Sequence, residues 1–281
     1  MGRVVVIGNA GLDLGLSVPH LPRPGETLVG MPSPRAPGGK GLNQAVVAVR
    51  YGAPVTFCAP LGNDAAEAQE IEGQLSREGF AELILPRLPY PTDFSLLMVL
   101  PNGENSIVST SACSLALTFE QVRPALRDLT TNDVVLVQGN LSLETTGAIL
   151  AAAPRSIFNP APFWPGAEKL AALASIVVAN RIEAEALGPA LDRPGTAIVT
   201  LGAEGCRVHG RSFPAQRVAA VDTTGCGDTF CGVVAAALAQ GAALEDAIGA
   251  AQTAAALTAT RPGAFAALPS RAELESITLH A

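Results

Sequence analysis

Near its C-terminal end the chain carries a glycine-rich turn with one carboxylate, in the order Thr224-Gly225-Cys226-Gly227-Asp228. An alanine-rich stretch follows at once, which predicts that this turn opens a helix. The first N–H groups of a helix have no partners inside it and, with the helix dipole, favour an anion such as phosphate. A carboxylate beside an anion is repelled unless it is there to take up a proton. We therefore interpret Asp228 as a general base beside a phosphate cradle, which is the chemistry of a kinase.

The structural alternative is that Gly225 and Gly227 only shape a turn and that Asp228 only caps a helix. A second glycine-rich element, Gly38-Gly39-Lys40-Gly41-Leu42-Asn43, favours the functional interpretation because it also runs into an apolar helix. Its glycines permit close backbone approach, and Lys40 or Asn43 could hold substrate or phosphate. The spacing is not that of a Walker P-loop, and no dinucleotide fingerprint follows the first strand, which argues against a dehydrogenase.

Polar residues also follow two predicted strands. Asp13 lies just past the apolar run of residues 3–8, where ligands bind in open parallel sheets, so it could bind sugar hydroxyls or only shape a turn. Asn180 and Glu183 share one face at the start of a helix. They could organise hydrated Mg²⁺ and phosphate, or form a capping box, and these residues alone leave both alternatives open.

The elements that must position these residues follow a βαβ rhythm. Apolar runs at residues 3–8, 55–58, 134–138, 156–158, 176–178 and 197–201 alternate with helical stretches, which predicts a mostly parallel sheet covered by helices, of α/β class. Residues 92–100 and 105–110 predict a hairpin through Pro101-Asn102-Gly103-Glu104. With strand-like pieces at residues 26–29 and 34–35, this hairpin is expected to form a small sheet outside the main layer.

The composition limits the class of protein. A chain of 281 residues is long enough for one α/β domain with a large core. A net charge of -7 argues against nucleic acid or an anionic membrane as the main partner. Five cysteines lie scattered without metal-type spacing, and no secretory signal is recognisable, so we expect reduced thiols and a cytoplasmic location. The alanine-rich residues 225–260 are interrupted by polar residues and are expected to form two packed helices, not a membrane span.

Both glycine-rich elements resemble the signatures of the ribokinase (PfkB-type carbohydrate kinase) family. Gly38 to Ala45 (GGKGLNQA) is similar to its N-terminal signature, and Asp222 to Phe230 (DTTGCGDTF) is similar to its C-terminal one. Further landmarks fall in the family's order and extend the resemblance over essentially the whole chain: PGET at residues 24–27, NPAP at 159–162, LGAEG at 201–205 and TRPGA at 260–264.

The resemblance implies a Rossmann-like three-layer αβα sandwich with a small β-sheet lid. The chain would be one domain, residues 1–281, with lid segments at about residues 14–37 and 92–110 that also serve as a homodimer contact. The implied reaction is transfer of the γ-phosphoryl group of ATP to a sugar hydroxyl, with Mg²⁺ and an activating monovalent cation, usually K⁺.

By position in the family's motifs, the resemblance also implies roles for particular residues. Asp228 would be the base, and Gly225, Cys226 and Gly227 would supply the anion hole. The sugar site would be lined by Asp13, Gly11, Gly39, Lys40, Asn43 and Asn140. The nucleotide would be bordered by Asn180, Thr200, Gly202, Gly205, Gly227 and Gln252. Glu183 would hold Mg²⁺ through water, and Asp222 and Thr224 would bind the monovalent cation.

The sequence departs from the family's pattern at four places. Ribokinases usually carry Asn where Gly11 stands and Glu where Asn140 stands, so ribose specificity is in question. The stretch from Glu183 to Thr196 is short and should lack one flanking helix. Cys226 replaces an Ala and is expected to make activity sensitive to thiol reagents. The alternatives to a sugar kinase are a nucleoside kinase of the same family and a non-catalytic sugar- or nucleotide-binding regulator.

Overall fold

The structure, a computed structural model, describes residues 1–101, 105–192 and 195–278. Its strands are, in chain order, β1 (Val4–Ile7), β2 (Gly11–Ser17), β3 (Met31–Pro32), β4 (Ala36–Gly38), β5 (Val55–Cys58), β6 (Glu82–Ile84), β7 (Asp93–Val99), β8 (Asn105–Ser109), β9 (Val134–Gln138), β10 (Ser156–Asn159), β11 (Ile176–Asn180), β12 (Thr196–Thr200), β13 (Cys206–Val208) and β14 (Arg211–Phe213).

The α-helices alternate with these strands through most of the chain. They are α1 (Lys40–Arg50), α2 (Ala65–Leu75), α3 (Ala112–Leu115), α4 (Phe119–Val122), α5 (Leu143–Ala152), α6 (Ala167–Ala171), α7 (Arg181–Leu187), α8 (Cys226–Ala239), α9 (Leu244–Ala259) and α10 (Arg271–Thr278). Within the described ranges, no helix is both long and apolar enough to cross a bilayer.

Within the described residues, the larger sheet has nine strands in the order β14-β13-β12-β11-β10-β9-β1-β5-β6. The strands from β12 to β6 run parallel, and the hairpin of β13 and β14 adds an antiparallel edge. The central strand β1 is fully buried. Val4 and Val6 pack into the core beneath α1, α8 and α9, while Val5 and Ile7 pack into the core beneath α5 and α6. The predicted three-layer αβα architecture is confirmed.

A smaller sheet, in the order β3-β2-β7-β8 with β4 paired to β2, stands beside the larger one. Strand β2 follows β1 after only three residues, and it pairs in parallel with β7. The predicted pairing of residues 92–100 with residues 105–110 is confirmed by β7 and β8, whereas turn residues 102–104 lie outside the described residues. Two predictions are wrong: residues 26–29 form no strand, and residues 34–35 lie between β3 and β4.

In the part of the shortened segment that the structure describes, no further α-helix follows α7, as the sequence predicts. After α7 the described residues form a 3-10 turn (Gly188–Asp192), and β12 begins at Thr196. The strands on either side of this segment remain neighbours in the sheet, because β11 and β12 pair in register along five residue pairs.

Helices α1 and α8, which carry the two glycine-rich signatures, approach each other very closely at Gly232 in α8. A Cβ atom at this position would lie 2.6 Å from the carbonyl oxygen of Gln44 and 2.8 Å from the Cβ of Val47. Real Cβ atoms do not approach backbone this closely, so the two helices can pack at this distance only with glycine. The contact sits one turn from Asp228 and therefore sets how near α1 can come to that carboxylate.

We expect Gly232→Ala to separate α1 from α8 and to destabilise the protein by about 1–3 kcal/mol through overpacking. This loss corresponds to a decrease in Tm of several degrees for a chain of this size. Gly249→Ala is the matched control, because Gly249 is also inside a helix but its added Cβ would meet nothing within 4 Å. The control should keep or slightly raise the Tm, since alanine favours helix more than glycine does. Equal melting temperatures for both variants would contradict the close-contact argument.

Candidate active site

The candidate site lies at the carboxyl ends of the central parallel strands, where open α/β sheets bind ligands. Three strands end in a polar residue at this edge: β9 ends in Gln138 and β10 in Asn159, which are both buried, and β11 ends in Asn180, which is exposed. The N-termini of α1 and α8 face the same edge, because Asn43 and Gln44 of α1 contact Asp228 of α8 directly.

Asp228 is a buried carboxylate held by two amides. It is 7% exposed, Asn43 Nδ2 donates to its Oδ2 at 3.1 Å, and Gln44 Nε2 donates to its Oδ1 at 3.0 Å. A carboxylate oxygen has two acceptor positions, so each oxygen can accept one further hydrogen bond. Asn43 Oδ1 is buried without a hydrogen-bond partner among the described residues, which leaves an acceptor for a ligand hydroxyl beside the carboxylate.

Asp13 on β2 brings a second carboxyl group to the site. Burial and the neighbouring charge of Asp228 raise the pKa of Asp13 from 3.8 to about 6, against the opposing effects of a hydrogen bond from Ser95 and the charge of Lys40. Gly38 makes room for this group, because a Cβ there would lie 2.3 Å from the Asp13 carboxyl carbon. The structure thus brings Asp13, Lys40 and Asp228 together from β2, α1 and α8.

The first turn of α8 offers backbone donors. Gly225 is the N-cap with φ 80°, a left-handed conformation that favours glycine. Among the described residues, the N–H groups of Gly225 and Gly227 have no acceptor, whereas that of Cys226 donates to Thr223 O at 3.3 Å. A Cβ at Gly227 would meet nothing within 4 Å, so this end of the helix borders open space. Open donors at a helix N-terminus can receive an anion.

Gly41, in the first turn of α1, allows this helix to lie close to β1. A Cβ at Gly41 would come within 2.6 Å of Asn9 N, just after β1. The N–H groups of Gly41 and Leu42 donate to the side chain and backbone oxygens of Asn9. These two donors are therefore used within the protein. Gly39, the N-cap of α1 with φ 100°, continues this tight turn.

Of the departures from the family pattern, the two that concern the sugar site differ in kind. Gly11 pairs with Asp93 of β7, and a Cβ at Gly11 would lie 2.3 Å from the Asp93 carbonyl oxygen. No larger side chain fits there unless the strands move apart, so Gly11 borders the site without a contact from a side chain. Asn140 is half-buried, and its Oδ1 has no hydrogen-bond partner among the described residues. It presents a neutral acceptor where the resemblance led us to expect an acidic one.

Asn180 and Glu183 form the capping box that the sequence left open. The Asn180 side chain accepts from Glu183 N, and the Glu183 carboxylate accepts from Asn180 N at 2.8 Å and from its Nδ2 at 2.9 Å. Although Glu183 caps α7, its carboxyl group still interacts with the other charged groups of the site. Burial raises the pKa of Glu183, and the charges of Lys40 and Asp228 act on it in opposite directions. The same residue therefore caps α7 and belongs to the charged site.

Asp222 joins the loop before α8 to the loop after α9. Its Oδ1 accepts from Thr224 N at 2.8 Å and from Thr224 Oγ1 at 2.6 Å, and its Oδ2 accepts from Gly263 N at 2.9 Å. The structure thus brings together Asp222, Thr224 and the 260–264 loop. The Oδ2 atom accepts one hydrogen bond and keeps acceptor capacity that could serve a cation.

The other residues expected near the nucleotide lie on the neighbouring edge of the sheet. Thr200 ends β12 and donates to Ala179 O at 3.4 Å. Gly202 is exposed, and a Cβ there would meet no atom within 4 Å. Gly205 and Gln252 instead support β14: Gly205 packs against the Phe213 carbonyl, to which Gln252 Nε2 donates at 2.7 Å. Gly205 and Gln252 therefore hold β14 in place within the protein.

The Cys226 thiol lies in the first turn of α8. Burial and the nearby charges of Asp222 and Asp228 raise the pKa of this thiol to about 11. Since the thiolate is the reactive form, a raised pKa works against reaction with thiol reagents. The expected sensitivity of the activity to such reagents stays a prediction.

Sequence reasoning missed three polar residues that support the site. Gln44 contacts Asp228, Gln138 contacts Gln44, and Ser95 donates to Asp13. A signal existed for two of them: Gln44 follows Asn43 directly in the first signature, and Gln138 is a polar residue at the end of a buried strand.

Comparisons with known proteins identify the family of this chain. The model of the pfkB family carbohydrate kinases matches residues 1–271. The ribokinase of Haemophilus influenzae is 32% identical over 305 residues, and that of Bacillus subtilis is 32% identical over 292, each covering 99% of both chains. The crystal structure of ribokinase from Thermotoga maritima has a TM-score of 0.87 at 29% identity and covers 99% of this chain and 100% of its own. The chain therefore belongs to the pfkB family of carbohydrate kinases.

Proposed function

We propose that this carbohydrate kinase transfers the γ-phosphoryl group of ATP to a hydroxyl of a ribose-like pentose, with Asp228 as general base. One observation carries the assignment: a buried carboxylate, held by two amides, lies in the first turn of a helix whose N-terminal N–H groups are open. This arrangement places a proton acceptor, the Asp228 carboxylate, beside a helix N-terminus that can bind an anion. A phosphate and the hydroxyl that attacks it require these two features side by side.

The chain's own residues would act mainly by positioning and by stabilising charge, as phosphoryl transfer demands. Asp13 and the Oδ1 atoms of Asn43 and Asn140 would accept hydrogen bonds from sugar hydroxyls. Asp228 would accept the proton of the attacking hydroxyl. The N–H groups of Gly225 and Gly227 would stabilise charge on the transferring group. Lys40, which interacts electrostatically with Asp13 and Glu183, would add a positive charge near the phosphate.

We propose that oxygen groups around this site bind two metal ions, Mg²⁺ and K⁺. Glu183 would hold Mg²⁺ through water, since burial disfavours its charge and a cation would relieve that cost. Asp222 and Thr224 would hold K⁺, with the 260–264 loop completing the oxygen set. When bound, Mg²⁺ supplies charge neutralisation on the phosphates. Asn180, Thr200, Gly202, Gly205 and Gln252 would border the nucleotide.

The sugar site differs from the one that the family resemblance implies for ribose, because Gly11 offers no side-chain contact and Asn140 offers a neutral acceptor. Gly11 cannot regain a side chain without moving β7. This favours a pentose that needs one hydroxyl contact fewer, and it leaves a nucleoside as the second candidate. A cytoplasmic location accords with ATP as co-substrate and with five free cysteines.

We also propose a homodimer through the smaller sheet. Residue alternation places Leu14, Leu96 and Val108 on the face opposite Asp13 and Ser95. Phe94 and Val108 on that face are 42% and 62% exposed. An apolar sheet face of this kind is typical of a contact with another chain, and a second copy would cover it with the same residues.

The first prediction concerns the base. Asp228→Asn should lower kcat by at least 1,000-fold, on the order of magnitude of lost base catalysis, because an amide cannot accept the hydroxyl proton. ATP binding and fold should persist, since the side chain keeps its size. The measurement is coupled ADP release with Mg²⁺-ATP, in K⁺ and in Na⁺, over ribose, deoxyribose, other pentoses, fructose and common nucleosides.

Turnover on a free pentose, absent in Asp228→Asn, would support the proposal. Turnover on nucleosides alone would favour the second candidate, and near wild-type turnover by Asp228→Asn would remove the base assignment. If the protein binds ATP but turns over no acceptor, the regulator alternative would gain support.

The second prediction concerns Asp13. A carboxyl whose pKa is raised on folding contributes stability below its unfolded pKa, and this contribution is lost as pH rises through about 6. Asp13→Asn should therefore stabilise the protein above about pH 6 by about 3 kcal/mol, and the gain should vanish near pH 4. It should also raise the sugar KM or abolish turnover without changing ATP binding. Thermal melts between pH 4 and 8 measure the gain, with the exposed Asp192→Asn as control; a pH-independent difference would contradict it.

The third prediction concerns assembly. Val108→Lys should convert a dimer to a monomer at micromolar concentration, because burying an unpaired ammonium in an apolar contact is costly. Ile107→Lys is the matched control: Ile107 is 48% exposed but points to the opposite face of β8. Sedimentation velocity measures both variants. A monomeric wild-type protein, or dissociation by Ile107→Lys alone, would rule out the proposed contact.

A further inference from the structure

A chain of buried amides runs from the sheet to Asp228. Gln138 Nε2 donates to Gln44 Oε1 at 2.8 Å, and Gln44 Nε2 donates to Asp228 Oδ1 at 3.0 Å. Gln44 Nε2 also donates to Asn159 Oδ1 at 3.1 Å, and Asn159 Nδ2 donates to Val178 O at 2.9 Å. Gln44 and Gln138 are each 0% exposed, and Asn159 is 8% exposed, so the chain is shielded from bulk solvent.

The orientation of every amide in this chain follows from one backbone carbonyl. Val178 O can only accept, so Asn159 must turn its Nδ2 toward it and its Oδ1 toward Gln44. Gln44 must then present its Nε2 to both Asn159 and Asp228. Its Oε1 is left facing Gln138, which must present its own Nε2. Reversing Gln44 would set its carbonyl oxygen against two acceptors at once.

These bonds do not belong to the sugar or phosphate contacts. Gln44 is a buried residue of α1, and Gln138 is the last residue of β9; both lie beneath the site. Asn43 already donates to the other carboxylate oxygen, so with Gln44 both oxygens of Asp228 are held. Two donors on separate oxygens fix the plane of the carboxylate as well as its position.

We propose that Gln44 and Gln138 are positioning residues for phosphoryl transfer: Gln44 fixes the plane of the Asp228 carboxylate, and Gln138 fixes the amide orientation of Gln44. The inference rests on the proposed role of Asp228 as base. Positioned groups lose much of their effect with small displacements, so the chain affects the chemical step and not sugar binding.

The test uses two substitutions along the chain, assayed with Mg²⁺-ATP and with ribose or the best acceptor of the panel. Gln44→Met keeps the length of the side chain and removes its donor. A hydrogen bond to a charged group of this strength corresponds to a kcat about 10- to 100-fold lower. The sugar KM should change less than about threefold, because Gln44 does not touch the sugar. Gln138→Met should lower kcat about 3- to 10-fold, since it removes a neutral hydrogen bond.

Gln138→Glu provides a signature that a merely structural role would not produce. While protonated, the introduced carboxyl group can donate to Gln44 Oε1; once ionised, it can only accept and repels that oxygen. Burial raises the pKa of such a group, so kcat of this variant should fall as pH rises, relative to Gln138→Met. The charged groups around Asp228 are Asp13 on β2, Lys40 on α1 and Glu183 on α7, with the Cys231 thiol further along α8. They are the same in both variants and cancel in the comparison.

Gln240→Met is the matched control, because Gln240 donates to Tyr51 O at 3.4 Å, far along the chain from Asp228. It should leave kcat and its pH profile unchanged. Suppose that Asp228→Asn is inactive but Gln44→Met keeps kcat within twofold of the wild-type value. The positioning role would then be overturned, and the base assignment would stand. An active Asp228→Asn would overturn the base assignment and the inference with it. Should Gln44→Met fail to fold, the two Gln138 variants decide: identical pH profiles for them would refute the proposal.

Discussion

The site depends on how closely α1 and α8 can approach. Their contact at Gly232 has no space for a methyl group. Because glycine carries none, the helices lie close enough for Asn43 and Gln44 to reach Asp228. Each helix brings a different chemical group: α1 brings amide donors, and α8 brings a carboxylate at its positive end. Neither set is sufficient alone, because an isolated buried carboxylate costs free energy that hydrogen bonds must offset. The packing of two apolar helices thus determines the geometry of the polar site.

Electrostatics explains why such a site is ready for ligands. Asp13, Glu183 and Asp228 place three carboxyl groups around one ammonium group, Lys40, in a partly buried space. Burial and the charge of Asp228 raise the pKa of both Asp13 and Glu183, as expected where carboxylates are costly to ionise. Hydrogen-bond donors and cations from ligands reduce that cost. Strain of this kind at a binding site is commonly maintained by stability elsewhere in the fold, here by an extensive buried core.

The sequence allowed the architecture and the main site to be predicted because both depend on local patterns. Apolar strands with polar ends, and glycines before alanine-rich helices, place Asp228, Asn43 and Glu183 near one sheet edge. The amide chain through Gln138 could not be predicted, since amide pairing depends on distances between elements that are far apart in sequence. The strand expected at residues 26–29 did not form for a similar reason: short strands exist only where a neighbour pairs with them.

Strand β2 begins three residues after the central strand β1 and carries Asp13 on one face and Leu14 on the other. Because side chains alternate, inserting or deleting one residue before Asp13 would turn the carboxyl group away from Asp228 and expose the apolar residues to the site. Only changes of two residues preserve both faces. Evolution of this segment is therefore restricted to point substitution or to paired insertions and deletions, and the distance between β1 and Asp13 should vary little among functional descendants of this chain.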